Sequence, residues 1–398
     1  MEIKIDKIFL QDITCIRNVS IKFNDKINFI CGSNGIGKTT VLEAISGFFY
    51  GPYSNPKIKK RFSSDSGMCI GDFTIGGESG THQYIVKAFL PNESGSPGLH
   101  QLHGLSNNII FIRTNRELTY QQLKSISLGS DHIGYENTKA LSTGIQGDDI
   151  KNWFIHRELF SKQERALSPE QLYNLEYAKN IFSIIDSKFE YSHIDATTHD
   201  IVIKTPSGDI CFEYLSSGFK SCIYLLMGLL KEIEYRFPQE KIKASDFNGI
   251  ILIDEPECHL HPEWQEKISR ILTSAFPNAQ FICATHSPHI IQSSNKDEVI
   301  TLEYSSDNEN VVVKDLMTNK YGFQGWTIEE ILIDVMGMND TRSAYYKELK
   351  TTFYQSLEDE NIALAENTGS KLLEMLHPDS LEKRIIKMDL ACLGGGIK

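Results

Sequence analysis

Residues 32–39 have the sequence Gly-Ser-Asn-Gly-Ile-Gly-Lys-Thr, a complete match to the phosphate-binding pattern G-x-x-x-x-G-K-[ST]. Glycines let successive backbone N–H groups point toward a phosphate, and the following helix N-terminus adds partial positive charge. The lysine supplies charge to the β- and γ-phosphates, and the threonine hydroxyl can bind Mg²⁺. An apolar strand before the loop and an amphipathic helix after it argue against a chance glycine-rich turn. We therefore predict that the loop binds ATP and Mg²⁺, using Asn34, Gly35, Gly37, Lys38, Thr39 and Thr40.

A second candidate element is the segment 250–256, Ile-Ile-Leu-Ile-Asp-Glu-Pro. Its apolar residues predict a buried strand with Asp254 at its carboxyl end, beside the phosphate loop. There Asp254, together with Thr39, can hold Mg²⁺, and Glu255 can polarise the water that attacks the γ-phosphate. Alone, two acids at a strand end indicate only a solvated end. Together with the phosphate loop they predict a catalytic pair.

Two further motifs carry a family resemblance. Residues 214–220, Tyr-Leu-Ser-Ser-Gly-Phe-Lys, resemble the signature of ATP-binding-cassette (ABC) ATPases, and Thr285-His286-Ser287 resembles their switch histidine. The order of the four motifs is also that of the family. A lone Leu-Ser-Ser-Gly would more often be a helix-capping turn.

The resemblance implies a composite site in which two subunits enclose two ATP molecules. Ser216, Ser217 and Gly218 of one subunit would meet the γ-phosphate held by Lys38 of the other. His286 would contact that phosphate from within its own subunit. The resemblance thus implies a homodimer or a higher homo-oligomer with ATPase activity.

The segments 254–265 and 284–290 resemble the branch that contains overcoming-lysogenization-defect-type proteins and the ATPase of the Septu anti-phage system. No glutamine loop typical of transporters is evident. The chain between loop and signature is too short for the coiled-coil arms of chromosome-maintenance ATPases. RecF-type repair ATPases share the N-terminal pattern but usually end the acidic strand differently.

No nuclease motif is evident in the chain. An Asp-x-Asp pair for two metals is absent, as is a His-Asn-His pattern. The resemblance therefore implies an ATPase that regulates a separate HNH-type nuclease, as in Septu. We nominate residues 322–332 and the helices after them as the docking region. The alternative is that they close the core or extend the homodimer.

Charge and composition limit the other functions. The net charge of −12 argues against a broad nucleic-acid-binding face. A basic cluster comprises Lys57, Lys59, Lys60 and Arg61, with Arg113 and Arg116 elsewhere in the chain. Such a cluster could contact the DNA backbone locally, although a run of charges is more often a solvated loop. Cys258, His259 and His261 lack a fourth ligand for a structural zinc site, so we expect this segment to pack or to contact nucleotide. We find no signal peptide and no apolar run of membrane-spanning length, and we expect a cytoplasmic protein with no membrane contact.

The sequence pattern predicts an α/β fold around these residues, because buried apolar strands alternate with amphipathic helices. Together with the resemblance, this gives an ABC-ATPase core of the P-loop NTPase class with a helical lobe and a C-terminal helical extension. The predicted domains are an N-terminal lobe with the phosphate loop (1–113), a helical lobe (114–213), the signature, Asp-Glu strand and histidine part of the core (214–325) and a C-terminal helical region (326–398). Two alternatives remain open for the function. One is a RecF-like DNA-repair ATPase, and the other is a nucleotide-stabilised scaffold with negligible hydrolysis.

Overall fold

The computed structural model describes residues 1–51, 56–93, 100–116, 118–120, 122–123, 125–129, 132, 134–307 and 309–394. Residues 395–398 of the predicted C-terminal region lie outside the described residues. In chain order the strands are β1 (Ile3–Ile13), β2 (Ile16–Lys22), β3 (Ile27–Gly32), β4 (Gly67–Ile75), β5 (Glu78–Val86), β6 (Ile109–Ile112), β7 (Glu190–Ile194), β8 (Ile201–Thr205), β9 (Gly208–Cys211), β10 (Ile250–Asp254), β11 (Gln280–Ala284), β12 (Val299–Tyr304) and β13 (Val311–Lys314).

The helices follow the three- and four-residue spacing of apolar side chains in the sequence. In chain order they are α1 (Lys38–Gly47), α2 (Tyr135–Thr143), α3 (Asp148–Phe160), α4 (Pro169–Ile185), α5 (Ser217–Arg236), α6 (Pro262–Ala275), α7 (Pro288–Ser293), α8 (Ile328–Glu330, continued by a π-turn), α9 (Ala344–Glu358), α10 (Ile362–Met375) and α11 (Leu381–Gly394). Among the described residues no helix combines the length and apolar character needed to cross a membrane.

Within the described residues, the main sheet has the spatial order β13-β12-β3-β11-β10-β6. All neighbours in it are parallel except β12 and β13. The phosphate loop follows β3, the switch histidine follows β11, and Asp254 ends β10. Because parallel strands end at the same edge, the sheet brings these motifs together, as ligand sites in open α/β sheets require.

The central strands are apolar on both faces because helices or strands cover both sides of the sheet. Along β10, Ile251 and Ile253 pack into one core with α3 to α6, whereas Ile250 and Leu252 pack into a second core with α1. This confirms the interpretation of the continuous apolar runs as buried strands.

Two smaller sheets accompany the main one in the described part of the chain, with the orders β2-β1-β4-β5 and β7-β8-β9. The first continues the second core, since β1 contributes Ile5, Ile8 and Leu10, all fully buried. The other lies within the predicted helical lobe, together with α3 and α4.

The chain forms two compact units, unit 1 (Met1–Gly337) and unit 2 (Met338–Lys398). Residues 322–332 belong to unit 1, where Phe323 and Ile331 are buried in the first core and Gln292 donates to the Trp326 carbonyl at 2.7 Å. These residues therefore help to close the core. Unit 2 contains α9, α10 and α11 around its own core, which includes Phe353 and Leu372. The four domain bounds and the docking region stay predictions.

Candidate functional site

The phosphate loop has the backbone conformation that its glycines allow. Gly35 and Gly37 have φ angles of 76° and 106°, in the left-handed region that favours glycine. Gly32 has φ 138°, and a Cβ atom there would lie 2.3 Å from the Leu302 carbonyl oxygen. The loop ends at α1, which begins at Lys38. A helix N-terminus after such a loop presents backbone N–H groups to an anion.

The Lys38 side chain lies over the loop that precedes it. Its Nζ atom donates to the carbonyl oxygens of Gly32 and Ser33, at 3.0 Å each. Burial lowers the pKa of Lys38, and the carboxylates of Asp254, Glu255 and Glu257 act in the opposite direction. The ammonium group is thus held at the loop, in reach of a bound phosphate.

Thr39 and Asp254 lie together, as predicted. The Thr39 hydroxyl is 3.1 and 3.3 Å from the two Asp254 carboxylate oxygens. Burial raises the pKa of Asp254, and the Thr39 hydrogen bond opposes this. A hydroxyl beside a carboxylate at a phosphate loop is an oxygen donor set that suits Mg²⁺. The residues present therefore fit the predicted ion. Thr40 lies next to them, with its hydroxyl 3.3 Å from that of Thr14.

Glu255 occupies an unusual backbone position. Its φ of 52° lies in the left-handed region, which costs a residue with a Cβ atom about 1–2 kcal/mol. Two backbone hydrogen bonds hold it there: its N–H donates to the Ala284 carbonyl at 2.8 Å, and its carbonyl accepts from Cys258 N–H at 2.9 Å. Strain of this kind is often retained at functional sites.

Asn34, Glu255 and His286 line one cavity of about 590 Å³, together with Glu257, Gln265, Ser287 and Pro288. Burial, followed by the charge of Lys38, lowers the pKa of His286. Its imidazole is therefore neutral at pH 7 and can donate one N–H to a phosphate. The cavity joins the phosphate loop to both predicted catalytic residues.

Glu257 was not predicted from the sequence. It accepts from the Thr285 hydroxyl at 2.9 Å and from the His286 backbone N–H at 2.5 Å. Burial raises its pKa, and the hydrogen bond from His286 opposes this. The signal available in the sequence was a third acid, two residues after Glu255. The residues that Glu257 contacts, however, follow β11 and not β10.

Arg116 is a second residue near the site that was not predicted from the sequence to belong to it. Its guanidinium donates to the carbonyl oxygens of Asp254 and Pro256, the latter at 3.4 Å, and the residue is only 4% exposed. Arg113 forms a buried ion pair with Glu43, at 2.5 Å. The suggestion that these two arginines contact nucleic acid is therefore wrong, because both guanidinium groups are buried and bound within the protein.

The basic cluster, in which Lys57 is exposed and Lys59, Lys60 and Arg61 are half-buried, stays a candidate for nucleic acid. Lys59 donates to the Glu93 carbonyl at 2.6 Å, and Lys60 donates to the Ser64 carbonyl at 2.7 Å. Arg61 donates to the Cys15 carbonyl at 3.3 Å. Lys59 and Arg61 thus bind backbone oxygens of neighbouring loops, and Lys60 binds one of its own loop, so these contacts within the protein do not require a nucleic acid.

The signature residues do not line the cavity that contains Asn34, Glu255 and His286. Ser216, Ser217 and Gly218 line a second cavity of about 580 Å³ with residues 259–264 and Asp186. Ser216 caps α5 by accepting from Phe219 N–H at 3.3 Å. A Cβ atom on Gly218 would lie 2.6 Å from the His259 carbonyl oxygen, so only glycine allows this contact. The signature residues and Asn34 of the phosphate loop therefore line different cavities.

Residues 258–261 pack against the signature helix. Ser221 donates to the Cys258 carbonyl at 2.8 Å, and His261 caps α6 through its Nδ1 atom. Across the described residues no group of three or more His, Cys, Asp or Glu side chains could hold a metal ion. The contacts of Cys258 with Ser221 and the capping role of His261 are those of packed residues, in line with the packing interpretation.

Comparisons with known proteins found matching family models, solved structures and relatives. An "AAA domain" family model matches residues 7–204, and a model described as "AAA domain, putative AbiEii toxin, Type IV TA system" matches residues 146–292. Among solved structures, an Smc head bound to the C-terminal winged-helix domain of ScpA aligns with a TM-score of 0.48 and 16% identity, over 78% of this chain and 98% of that one.

Two curated relatives are Septu PtuA proteins. The chain is 27% identical to Septu protein PtuA of Bacillus mycoides (strain KBAB4) over 85% of its own length and 45% of that relative, so it spans less than half of that protein. It is 41% identical to Septu protein PtuA of Bacillus thuringiensis, over 99% of this chain and 98% of the relative. With its P-loop α/β core, the chain belongs to the Septu PtuA family.

Proposed function

We propose that this chain is an ABC-type ATPase that binds and hydrolyses ATP, dimerises around it and regulates a separate nuclease in anti-phage defence. One observation carries the proposal. Asn34 of the phosphate loop, Glu255 and His286 line one cavity, and Asp254 binds Thr39 of the same loop, whereas Ser216 to Gly218 line a second cavity. A second subunit would bring its signature to the first subunit's phosphate loop.

Lys38 and the N–H groups of the loop bind and orient the phosphates, and Thr39 and Asp254 would hold Mg²⁺. When bound, the ion would supply positive charge that offsets the negative charge of the phosphates. Glu255 orients the attacking water and accepts its proton, so it acts as the general base. His286 donates a hydrogen bond to the γ-phosphate from within the same subunit.

Membership of the Septu PtuA family supports the role in defence, and the lack of a nuclease motif in the sequence supports a separate nuclease. The partner we propose is an HNH-type nuclease. Unit 2 is the docking region we favour, because residues 322–332 are engaged with the core of unit 1. The proposed assembly is a homodimer or a higher homo-oligomer that acts in the cytoplasm.

The test compares two variants with the wild-type protein. Glu255→Gln keeps the size of the side chain but removes the base, so ATP binding should persist while turnover falls by about 10²-fold or more. Native mass measurement should then find an ATP-stabilised dimer. Lys38→Ala should bind no nucleotide and form no such dimer.

Wild-type turnover by Glu255→Gln would show that this residue is not the base. A wild-type protein that retains ATP without hydrolysing it would instead identify a nucleotide-stabilised scaffold. Co-purification with the product of the neighbouring gene, followed by native mass measurement, tests the nuclease partner. Isolation of the ATPase alone under ATP-saturating conditions would count against that partner.

A further inference from the structure

Glu257 is a half-buried carboxylate whose two oxygens both face the end of β11. Oε2 accepts from the Thr285 hydroxyl at 2.9 Å, and Oε1 accepts from the His286 backbone N–H at 2.5 Å. A carboxylate needs such donors when it is buried, because desolvation is costly. These contacts link the loop after β10 to the residue after β11.

The contact fixes the backbone of His286, while its side chain stays exposed at the cavity that Glu255 and Asn34 also line. Bonds to the backbone set where the imidazole points without occupying its ring nitrogens. This leaves an N–H of the ring available to a phosphate.

Thr285 continues the connection in the other direction. Its Oγ1 atom accepts from Ser287 N–H at 3.0 Å, and the Ser287 hydroxyl donates to Gln265 Oε1 at 2.6 Å. Gln265 in turn donates to the Leu260 carbonyl at 2.8 Å, and Leu260 lines the signature cavity. The switch segment is thus held by side chains from the loop after β10 and from α6.

We propose that Glu257 is a positioning residue for the switch histidine, which it holds through the Thr285 hydroxyl and the His286 backbone N–H. The proposal rests on the proposed ATPase function, which assigns His286 to the γ-phosphate. Glu257 need not touch the nucleotide. It sets the position of the residue that does.

Glu257→Gln is the sharpest substitution because it conserves size. The amide oxygen can accept only at one side, and the amide NH₂ then faces the other donor. We expect the ATP dissociation constant to stay within about 3-fold and kcat to fall by about 10- to 100-fold, the range for losing a charge-assisted hydrogen bond. Glu240→Gln, at an exposed glutamate between α5 and β10, is the matched control and should change neither constant.

An NMR measurement reports directly whether Glu257 holds the backbone of His286. The backbone amide proton of His286 donates to a carboxylate at 2.5 Å, so its NMR signal should lie downfield in the wild type and move upfield in Glu257→Gln. This measurement does not need hydrolysis. An inactive wild-type protein would therefore overturn the proposed function, while the amide signal still decides whether Glu257 holds His286.

Thr285 supplies a second pair of variants, which keeps the proposal testable if Glu257→Gln fails to fold. Thr285→Ser keeps the hydroxyl and should retain kcat, whereas Thr285→Val should lower it. Combining Thr285→Val with Glu257→Gln should lower kcat by less than the product of the two single effects, because both act on one contact. Multiplying effects, an unchanged His286 signal, or equal losses of ATP binding and turnover would each overturn the proposal.

Discussion

Replacing Glu43 with glutamine removes the negative charge that faces Arg113 inside the protein. Glu43 lies on α1, the helix that begins at Lys38, and Arg113 follows β6. Their closest atoms are 2.5 Å apart, with a second contact at 3.2 Å, and the side chains are 8% and 11% exposed. Arg113 also donates to the Leu141 carbonyl, so its guanidinium stays buried after the substitution.

Removing one partner of a buried ion pair costs about 3–5 kcal/mol, because the remaining charge is desolvated and uncompensated. Unit 1 spans Met1–Gly337. At about 2.1 cal/mol/K of unfolding entropy per residue, its total is ~0.7 kcal/mol/K, so the melting temperature should fall by about 4–7 °C. Thermal unfolding without nucleotide, followed by circular dichroism, measures this change.

Arg17 and Glu309 form the matched control pair. Their atoms are 3.0 Å apart, but the side chains are 56% and 64% exposed. Solvent screens such a pair, so Glu309→Gln should cost less than about 1 kcal/mol. If Glu43→Gln lowered the melting temperature no more than Glu309→Gln, the large stabilising role assigned to the buried pair would be wrong.

Two further predictions concern acid stability and the metal site. Burial alone would raise the pKa of Glu232, but Lys231, the His132 hydrogen bond and Arg236 lower it to about 2. A carboxylate with a depressed pKa stabilises the fold above the unfolded pKa of 4.5, and this stabilisation is lost as the pH falls toward 2. The melting temperature of Glu232→Gln should therefore depend less steeply on pH than that of the wild type between pH 4.5 and 2. Equal slopes for the two proteins would contradict this. Asp254→Asn should weaken the Mg²⁺ dependence of ATP binding measured by calorimetry, since it removes the carboxylate beside Thr39; an unchanged Mg²⁺ effect would exclude Asp254 as the ligand.

The local motifs could be predicted because their chemistry is continuous in sequence. The phosphate loop needs glycines and a lysine at fixed spacing, and Asp254 ends an apolar run that has to be a buried strand. The α/β architecture followed from the same apolar strands. For these residues, neighbours in the chain determine position.

Residues whose partners follow other strands could not be predicted. Glu257 binds Thr285 and His286 only because β10 and β11 are adjacent and in register, with Asp254 opposite Ala284. Arg116 has the charge of a surface residue, yet it is buried against backbone carbonyls. Periodicity gives no information on which strand lies beside which.

The signature shows a different limit. Ser216 is a helix cap, as a lone Leu-Ser-Ser-Gly suggests, and it also lines the second cavity. Capping is a contact within the subunit, and the proposed contact with a partner's nucleotide would be made at the second cavity. The separation of the cavities therefore carries the dimer proposal, and the motif alone does not.

The most direct test of the central claim mixes two inactive variants, Lys38→Ala and Ser216→Arg. Each should be inactive on its own, because one lacks the phosphate-loop lysine and the other has a blocked signature. In a mixed dimer, the intact phosphate loop of one subunit meets the intact signature of the other. We predict that mixing restores up to about a quarter of wild-type ATPase activity, since half of the dimers are mixed and each has one complete site. Mixed dimers that form but stay inactive would contradict a site shared between two subunits.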